Sequence, residues 1–148
     1  MRRRFFLLAG VAAAIAGFLL YLNNRDVSIM GGHHNQYTAE ILVDHLPLSE
    51  AASIQWWMKN QREIRSKYQI VPEDEGGPRL ISIFAFGDGY KELGKEDRLC
   101  FDDVQPPKNC IDKKRLMAVY FTRDGMTQFR FDYSTYQLTD DGRIIKVK

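Results

Sequence analysis

The apolar positions of the chain are concentrated first in one unbroken run that begins at Phe5 and ends at Leu22. Its eighteen residues carry no charge, and only Tyr21 has a polar side-chain atom. A helix of this length spans about 27 Å, close to the roughly 30 Å hydrocarbon thickness of a bilayer. Residues 5–22 are therefore predicted to be a transmembrane anchor in contact with membrane lipid.

The charges on either side of this run give it a direction. Arg2, Arg3 and Arg4 precede it, whereas residues 23–26 carry balanced charge. The positive-inside rule then places residues 1–4 in the cytoplasm and the rest of the chain across the membrane. The alternative is a cleavable signal peptide ending at residues 14–16, although cleavage there would leave an exposed apolar N-terminus. Either interpretation exports the folded domain.

Residues 23–36 are polar and contain two adjacent glycines, which predicts a short tether between the bilayer and the domain. His33 and His34 lie within it. Adjacent histidines in a flexible stretch, without a third ligand at helical or hairpin spacing, are more typical of solvated side chains than of a metal site. No metal site is predicted.

From residue 37 onwards, apolar residues alternate with polar ones or recur at helical spacing. Alternation over residues 37–44 predicts a strand. Ser49 is a good N-cap and Glu50 suits the first turn of a helix. The predicted helical stripe consists of Ile54, Trp57, Met58, Gln61, Ile64, Arg65 and Tyr68. Trp56 points about 100° away from Trp57, towards the boundary of that stripe, where it is expected to lie along the edge of the sheet or, as the alternative, to contact a partner.

The second half of the chain reads as strands and turns. Strands are predicted over residues 80–86, 98–102, 116–122, 127–133, 136–139 and 143–147. Phe129, Phe131 and Tyr133 are expected to share one face. Residues 37–148 are thus predicted to form an α+β domain, an antiparallel sheet with one main amphipathic helix packed on it. Asp88 and Tyr90 lie in a glycine-rich turn after the first of these strands and, with Trp56, are the candidate residues of a partner surface.

Length and charge narrow the function. A chain of 148 residues has room for one domain. Its formal charge of +2 falls to −1 without Arg2, Arg3 and Arg4, so the basic balance belongs to the anchor. The remaining charges are interspersed rather than clustered, which disfavours nucleic-acid binding.

Cys100 and Cys110 are the only cysteines and flank a proline-containing loop. In an exported domain such a pair is most simply one disulfide. Zinc would need about four ligands, and a catalytic thiol would need a histidine that no sequence signal brings near.

Carboxylates that could act as an acid and base pair are Asp88, Glu92, Asp97, Asp102 and Asp103. They are spread through turns among lysines and arginines, which favours solvated surface over an envelope hydrolase. We therefore expect neither an enzyme nor a bound cofactor.

Several blocks of sequence together resemble a known family. They are WWMKN at 56–60, FGDGYKELG at 86–94, RLCF at 98–101, KNCI at 108–111 and GRIIK at 142–146. The chain resembles, over its whole length, the enterobacterial family of membrane proteins classed as a domain of unknown function. The resemblance implies an inner-membrane protein with a periplasmic domain and brings no catalytic residue. Members of this family are often encoded beside toxin or secretion loci, which implies that the chain has a protein partner. An immunity-like domain that neutralises a toxin is the expected role, and an assembly subunit of an envelope complex is the alternative.

Overall fold

The computed structural model describes residues 2–148; residue 1, part of the predicted cytoplasmic segment 1–4, lies outside them. The elements are, in chain order, α1 (Arg2–Asn24), β1 (Ile29–His34), β2 (Thr38–Val43), α2 (Glu50–Tyr68), a short 3-10 helix (Glu73–Glu75), β3 (Leu80–Ala85), β4 (Arg98–Cys100), β5 (Cys110–Asp112), β6 (Arg115–Phe121), β7 (Thr127–Arg130), β8 (Thr135–Leu138) and β9 (Ile144–Lys146).

Helix α1 contains the predicted anchor and extends it by a few residues at each end. None of its side chains is buried, and Phe5 at its start is 70% exposed. By length and composition it can cross a membrane. An apolar helix exposed on all sides needs a solvent other than water, which agrees with membrane association.

Seven strands form the main sheet in the order β1-β2-β3-β6-β7-β8-β9. All neighbouring pairs are antiparallel except β2 and β3, which run parallel. The sheet is therefore mostly antiparallel, as predicted, with one parallel pair that was not foreseen. The reason is that α2 lies between these strands and carries the chain back to the edge at which β2 began.

The sheet is covered on both faces near β2. Ala39, Ile41 and Val43 belong to the main core with residues of α2. Leu42 points the other way and packs with Phe101 and Ile111 of a second, smaller core. That core lies beneath β4 and β5, which form a separate two-stranded ribbon.

Helix α2 begins where the sequence predicts. Ser49 is its N-cap, and the Ser49 hydroxyl accepts a hydrogen bond from the Ala52 backbone N–H at 3.1 Å. Trp57 is 1% exposed in the main core, whereas Trp56 is only partly buried. The helical stripe and the boundary position of Trp56 are confirmed.

The predicted tether over residues 23–36 is wrong for its central part. Residues 29–34 form β1, which pairs with β2 in an antiparallel hairpin turned at Asn35. Asn35 stabilises the turn because its side-chain oxygen accepts hydrogen bonds from the backbone N–H groups of Tyr37 and Thr38. The folded domain thus begins well before residue 37.

Tyr133 also departs from its prediction. Strand β7 ends at Arg130, and the chain turns back through a hydrogen bond from the Phe131 N–H to the Ser134 carbonyl at 2.8 Å. Phe129 is buried and Phe131 packs against the main core. Tyr133 lies in the turn, 95% exposed, and shares no face with them.

Candidate functional site

The most polar part of the interior is built around His33 on the edge strand β1. His33 is paired across the hairpin with Glu40 of β2, so both side chains lie on the face that the ribbon covers. His33 is only 9% exposed. A buried imidazole at a sheet edge needs polar partners, since an unpaired one would lose its hydrogen bonds to water.

Both ring nitrogens of His33 have such partners. Nδ1 lies 2.7 Å from the carboxylate of Asp103, and Nε2 lies 2.9 Å from the hydroxyl of Tyr90. With the Nδ1 proton donated to Asp103, Nε2 accepts the hydrogen bond of the phenol. The His33 ring also stacks on Phe101, with ring centroids 4.0 Å apart. These contacts join three segments that are distant in sequence.

The ribbon brings Asp103 and Phe101 to this position. Cys100 and Cys110 are register partners in β4 and β5 and form a disulfide, which confirms the prediction. Just beyond it, the Phe101 N–H donates to the Asn109 carbonyl at 2.9 Å, and the Asn109 amide donates to the Phe101 carbonyl at 3.1 Å. The closed end of the ribbon is thereby held over β1.

A cleft of about 470 Å³ opens between β1, the end of α2 and the ribbon. Among its lining residues are Gly32, His34, Glu40, Tyr68 and Asp102. Gly32 is required there, because a Cβ atom at this position would lie 2.6 Å from the Tyr68 ring. Glycine therefore lets the end of α2 approach the edge of the sheet.

The cleft is negatively charged. Glu40, Asp102 and Asp103 line it. Burial raises the pKa of Glu40 above its ordinary value, opposed by a hydrogen bond from the Thr38 hydroxyl and by His33. Within residues 2–148, no group of three or more histidine, cysteine or acidic side chains is placed to hold a metal ion. The charge is thus suited to basic groups of a ligand.

The chemistry of His33, Asp103 and Tyr90 follows from their arrangement. Both nitrogens of His33 bind protein groups, a carboxylate on one side and a phenol on the other, so the three side chains are linked in series. Burial, with the charge of Asp103, raises the pKa of Tyr90 and so favours the protonated phenol that binds Nε2 of His33. The arrangement fixes the wall of the cleft.

The three residues predicted as a partner surface do not form one surface. Trp56 packs against the main core on the α2 face of the sheet, whereas Tyr90 packs in the smaller core on the ribbon face. Asp88 is exposed and lies 3.3 Å from the Lys91 ammonium. Tyr90 is instead part of the His33 hydrogen-bonding group.

Of the candidate acid and base carboxylates, Asp102 and Asp103 come together at the cleft. Asp97 is paired with Lys113 at 2.9 Å, and Glu92 is exposed. The expectation that His33 is solvated was wrong, whereas His34 is exposed as expected. The missed signal was Asn35, a turn residue directly before a strong strand, which marks the preceding segment as the other arm of a hairpin.

The family model described as enterobacterial putative membrane protein (DUF943) matches residues 2–148. No curated protein and no solved structure matches the chain.

Proposed function

This chain belongs to the enterobacterial family of membrane proteins matched by that model, and on that premise we propose that it is an anchored binding protein whose domain holds a protein partner in the periplasm. The bilayer would be crossed once, by α1. Its N-terminal arginines favour the cytoplasmic side, and the disulfide of the ribbon suits an oxidising compartment.

The observation that carries the proposal is the cleft beside the free edge of β1. β1 is the terminal strand of the main sheet, and among the described residues no strand pairs with its outer edge. A free edge offers backbone N–H and C=O groups to an extended segment of another protein, which adds as a further strand.

The charge of the cleft defines that segment further. Glu40, Asp102 and Asp103 would attract lysine or arginine side chains of the partner. The two hydrogen bonds of His33 hold the wall of the cleft in one geometry. A pre-organised wall lowers the entropy lost on association.

In-cell photo-crosslinking tests this function. A photoreactive amino acid replaces His34, which is exposed beside the cleft, in the full-length protein expressed in its host. The matched control replaces Arg123, exposed in the turn between β6 and β7. A protein crosslinked from position 34 and not from 123 is the expected result, and its yield should fall in Asp102→Lys.

The identity of the captured protein separates the two roles. A toxin delivered from neighbouring cells supports the immunity-like role, and a resident envelope protein supports assembly. Equal labelling from positions 34 and 123, or none from either, contradicts binding at the cleft.

A further inference from the structure

One end of the main sheet lies beside the anchor. Strand pairing brings to this end Ile29, Val43, Ala85, Arg115, Arg130, Thr135 and Lys146. The segments that leave from it are residues 25–28, 44–49, 113–114, 131–134 and 147–148, together with the turn 86–89 that follows β3. They form a single rim, which we call the anchor rim.

Hydrogen bonds join the end of the anchor and the segment after it to this rim. The Ser49 N–H donates to the side-chain oxygen of Asn23, near the end of α1, at 2.8 Å. The Asp44 N–H donates to the Ser28 carbonyl at 3.0 Å. Residues 2–21 of α1 are exposed, and Leu22 is the first partly buried residue. The helix therefore projects from the domain and meets it only at the rim.

The rim exposes side chains that water does not favour. Tyr133 is 95% exposed, Leu48 is 60% exposed and Val147 is 47% exposed. Tyr133 projects from a turn whose backbone is closed by its own hydrogen bond, and its ring packs on neither core. Tyrosine is enriched where hydrocarbon meets headgroups, because its ring is apolar and its hydroxyl is polar.

Basic residues accompany these side chains. The exposed cations of the rim without an ion pair within residues 2–148 are Arg25, Lys114, Arg115, Arg130, Lys146 and Lys148. Two exposed acids without an ion pair, Asp26 and Asp132, oppose them. A third exposed acid, Asp88, lies 3.3 Å from the Lys91 ammonium. The other acids there are engaged, since Asp44 accepts backbone hydrogen bonds and Glu50 accepts one from the Tyr136 hydroxyl at 3.0 Å. The anchor rim therefore carries a modest excess of positive charge.

From this geometry we propose that the anchor rim docks on the bilayer that α1 enters. Tyr133 and Leu48 lie in the interfacial layer, and the lysines contact anionic lipid headgroups. Basic side chains are attracted to a surface that carries anionic lipid. The inference rests on the proposed membrane anchoring, and it assigns the domain a fixed orientation against the membrane.

The position of the rim favours the bilayer, rather than a second protein, as the surface that the rim contacts. The Asn23 to Ser49 hydrogen bond holds Leu48 next to the residue at which α1 emerges from its apolar run. A protein partner would have to enter between the domain and the lipid.

Fluorescence quenching in vesicles tests the docking. The full chain carries Tyr133→Cys or, as a matched control at the far end of the sheet, Arg123→Cys. Both sites are exposed, and the two native cysteines are joined in the disulfide, so each added thiol is labelled selectively with a polarity-sensitive dye. The protein is reconstituted into vesicles of phosphatidylethanolamine and phosphatidylglycerol that contain a lipid quencher at headgroup level.

The dye at position 133 should emit at shorter wavelength and be quenched several-fold more than the dye at position 123. Equal quenching at both positions in protein that floats with the vesicles overturns the docking and leaves the anchoring intact. Failure of the protein to float with the vesicles overturns the anchoring, and the docking with it. Circular dichroism of both labelled variants confirms that the exposed substitutions leave the fold unchanged.

Discussion

At the scale of single residues, His33 decides how the cleft is held. A buried imidazole that binds a carboxylate through one nitrogen and a phenol through the other is fully satisfied and has little freedom to rotate. Its stacking on Phe101 adds contact area. One side chain thus joins the sheet edge, the turn after β3 and the ribbon.

Removal of the carboxylate should loosen this junction. Asp103→Ala is expected to lower the free energy of unfolding by about 1 kcal/mol, because the hydrogen bond is charge-assisted but Asp103 is partly solvated. Denaturant unfolding of the full chain in detergent measures the loss. Asp102→Ala is the matched control, with an expected change within about 0.5 kcal/mol. Equal losses in the two variants contradict the role of Asp103.

Ionisation of Glu40 makes the stability of the folded domain depend on pH, and the direction of its pKa shift gives the sign of that dependence. Burial raises its pKa above the ordinary value of 4.5, so the folded state binds the proton more tightly than the unfolded state. The proton bound by Glu40 contributes fully to the stability of the folded state below pH 4.5. This contribution is lost as pH rises through the raised pKa of Glu40. Glu40→Gln should therefore melt at a higher temperature than the wild type near neutral pH.

The difference in melting temperature between Glu40→Gln and the wild type should vanish in acid. Glutamine keeps an oxygen that can accept the hydrogen bond of Thr38. Glu92→Gln on an exposed loop serves as the control, with no comparable difference. If Glu40→Gln raises the melting temperature equally at every pH, the ionisation of Glu40 is not the cause.

At the scale of elements, the ribbon is the least self-sufficient part of the fold. Each of its strands has only three residues, and a two-stranded ribbon is marginally stable by itself. The disulfide and the packing of Phe101 and Ile111 on Leu42 compensate for this. The wall of the cleft depends on both.

Replacement of Cys100 and Cys110 by serine should lower the free energy of unfolding by about 2 to 3 kcal/mol, because the bond restricts the unfolded chain. The measurement is denaturant unfolding with and without a reductant. Reductant should lower the midpoint of the wild type and leave that of the double variant unchanged. A wild-type midpoint that ignores complete reduction contradicts the expectation.

The elements also differ in how far sequence could predict them. Helix α2 follows from local signals, the Ser49 cap and the apolar stripe, so it could be placed in advance. Strand β1 could not, because Gly31, Gly32 and two histidines have the composition of a linker, and only pairing with β2 makes them a strand. The contact of His33 with Asp103 joins residues 70 positions apart, which no local pattern encodes.

At the scale of the whole molecule, the two ends of α1 have different roles. The arginines favour one orientation in the membrane, and the hydrogen bond from Ser49 to Asn23 joins the helix to the domain. The exposed apolar helix and the folded domain are thus connected by a short segment and by this hydrogen bond.

The orientation should respond to charge alone. Replacement of Arg2, Arg3 and Arg4 by asparagine, with arginines inserted after Asn24, should reverse the topology. A reporter enzyme that is active only in the periplasm, fused after Lys148, should be active in the wild type and inactive in the reversed variant. Activity that survives the reversal would show that these charges do not set the orientation.

The length of the hairpin of β1 and β2 also sets the distance between the anchor rim and the cleft. From Ile29 at the anchor rim, β1 rises for six residues to His34, or roughly 17 Å at the usual rise per strand residue. With the rim on the bilayer, the cleft opens at that distance from the headgroups and travels with them. A partner must then present its segment within this narrow layer, so reach from the membrane, as well as charge and shape, would select what the domain can hold.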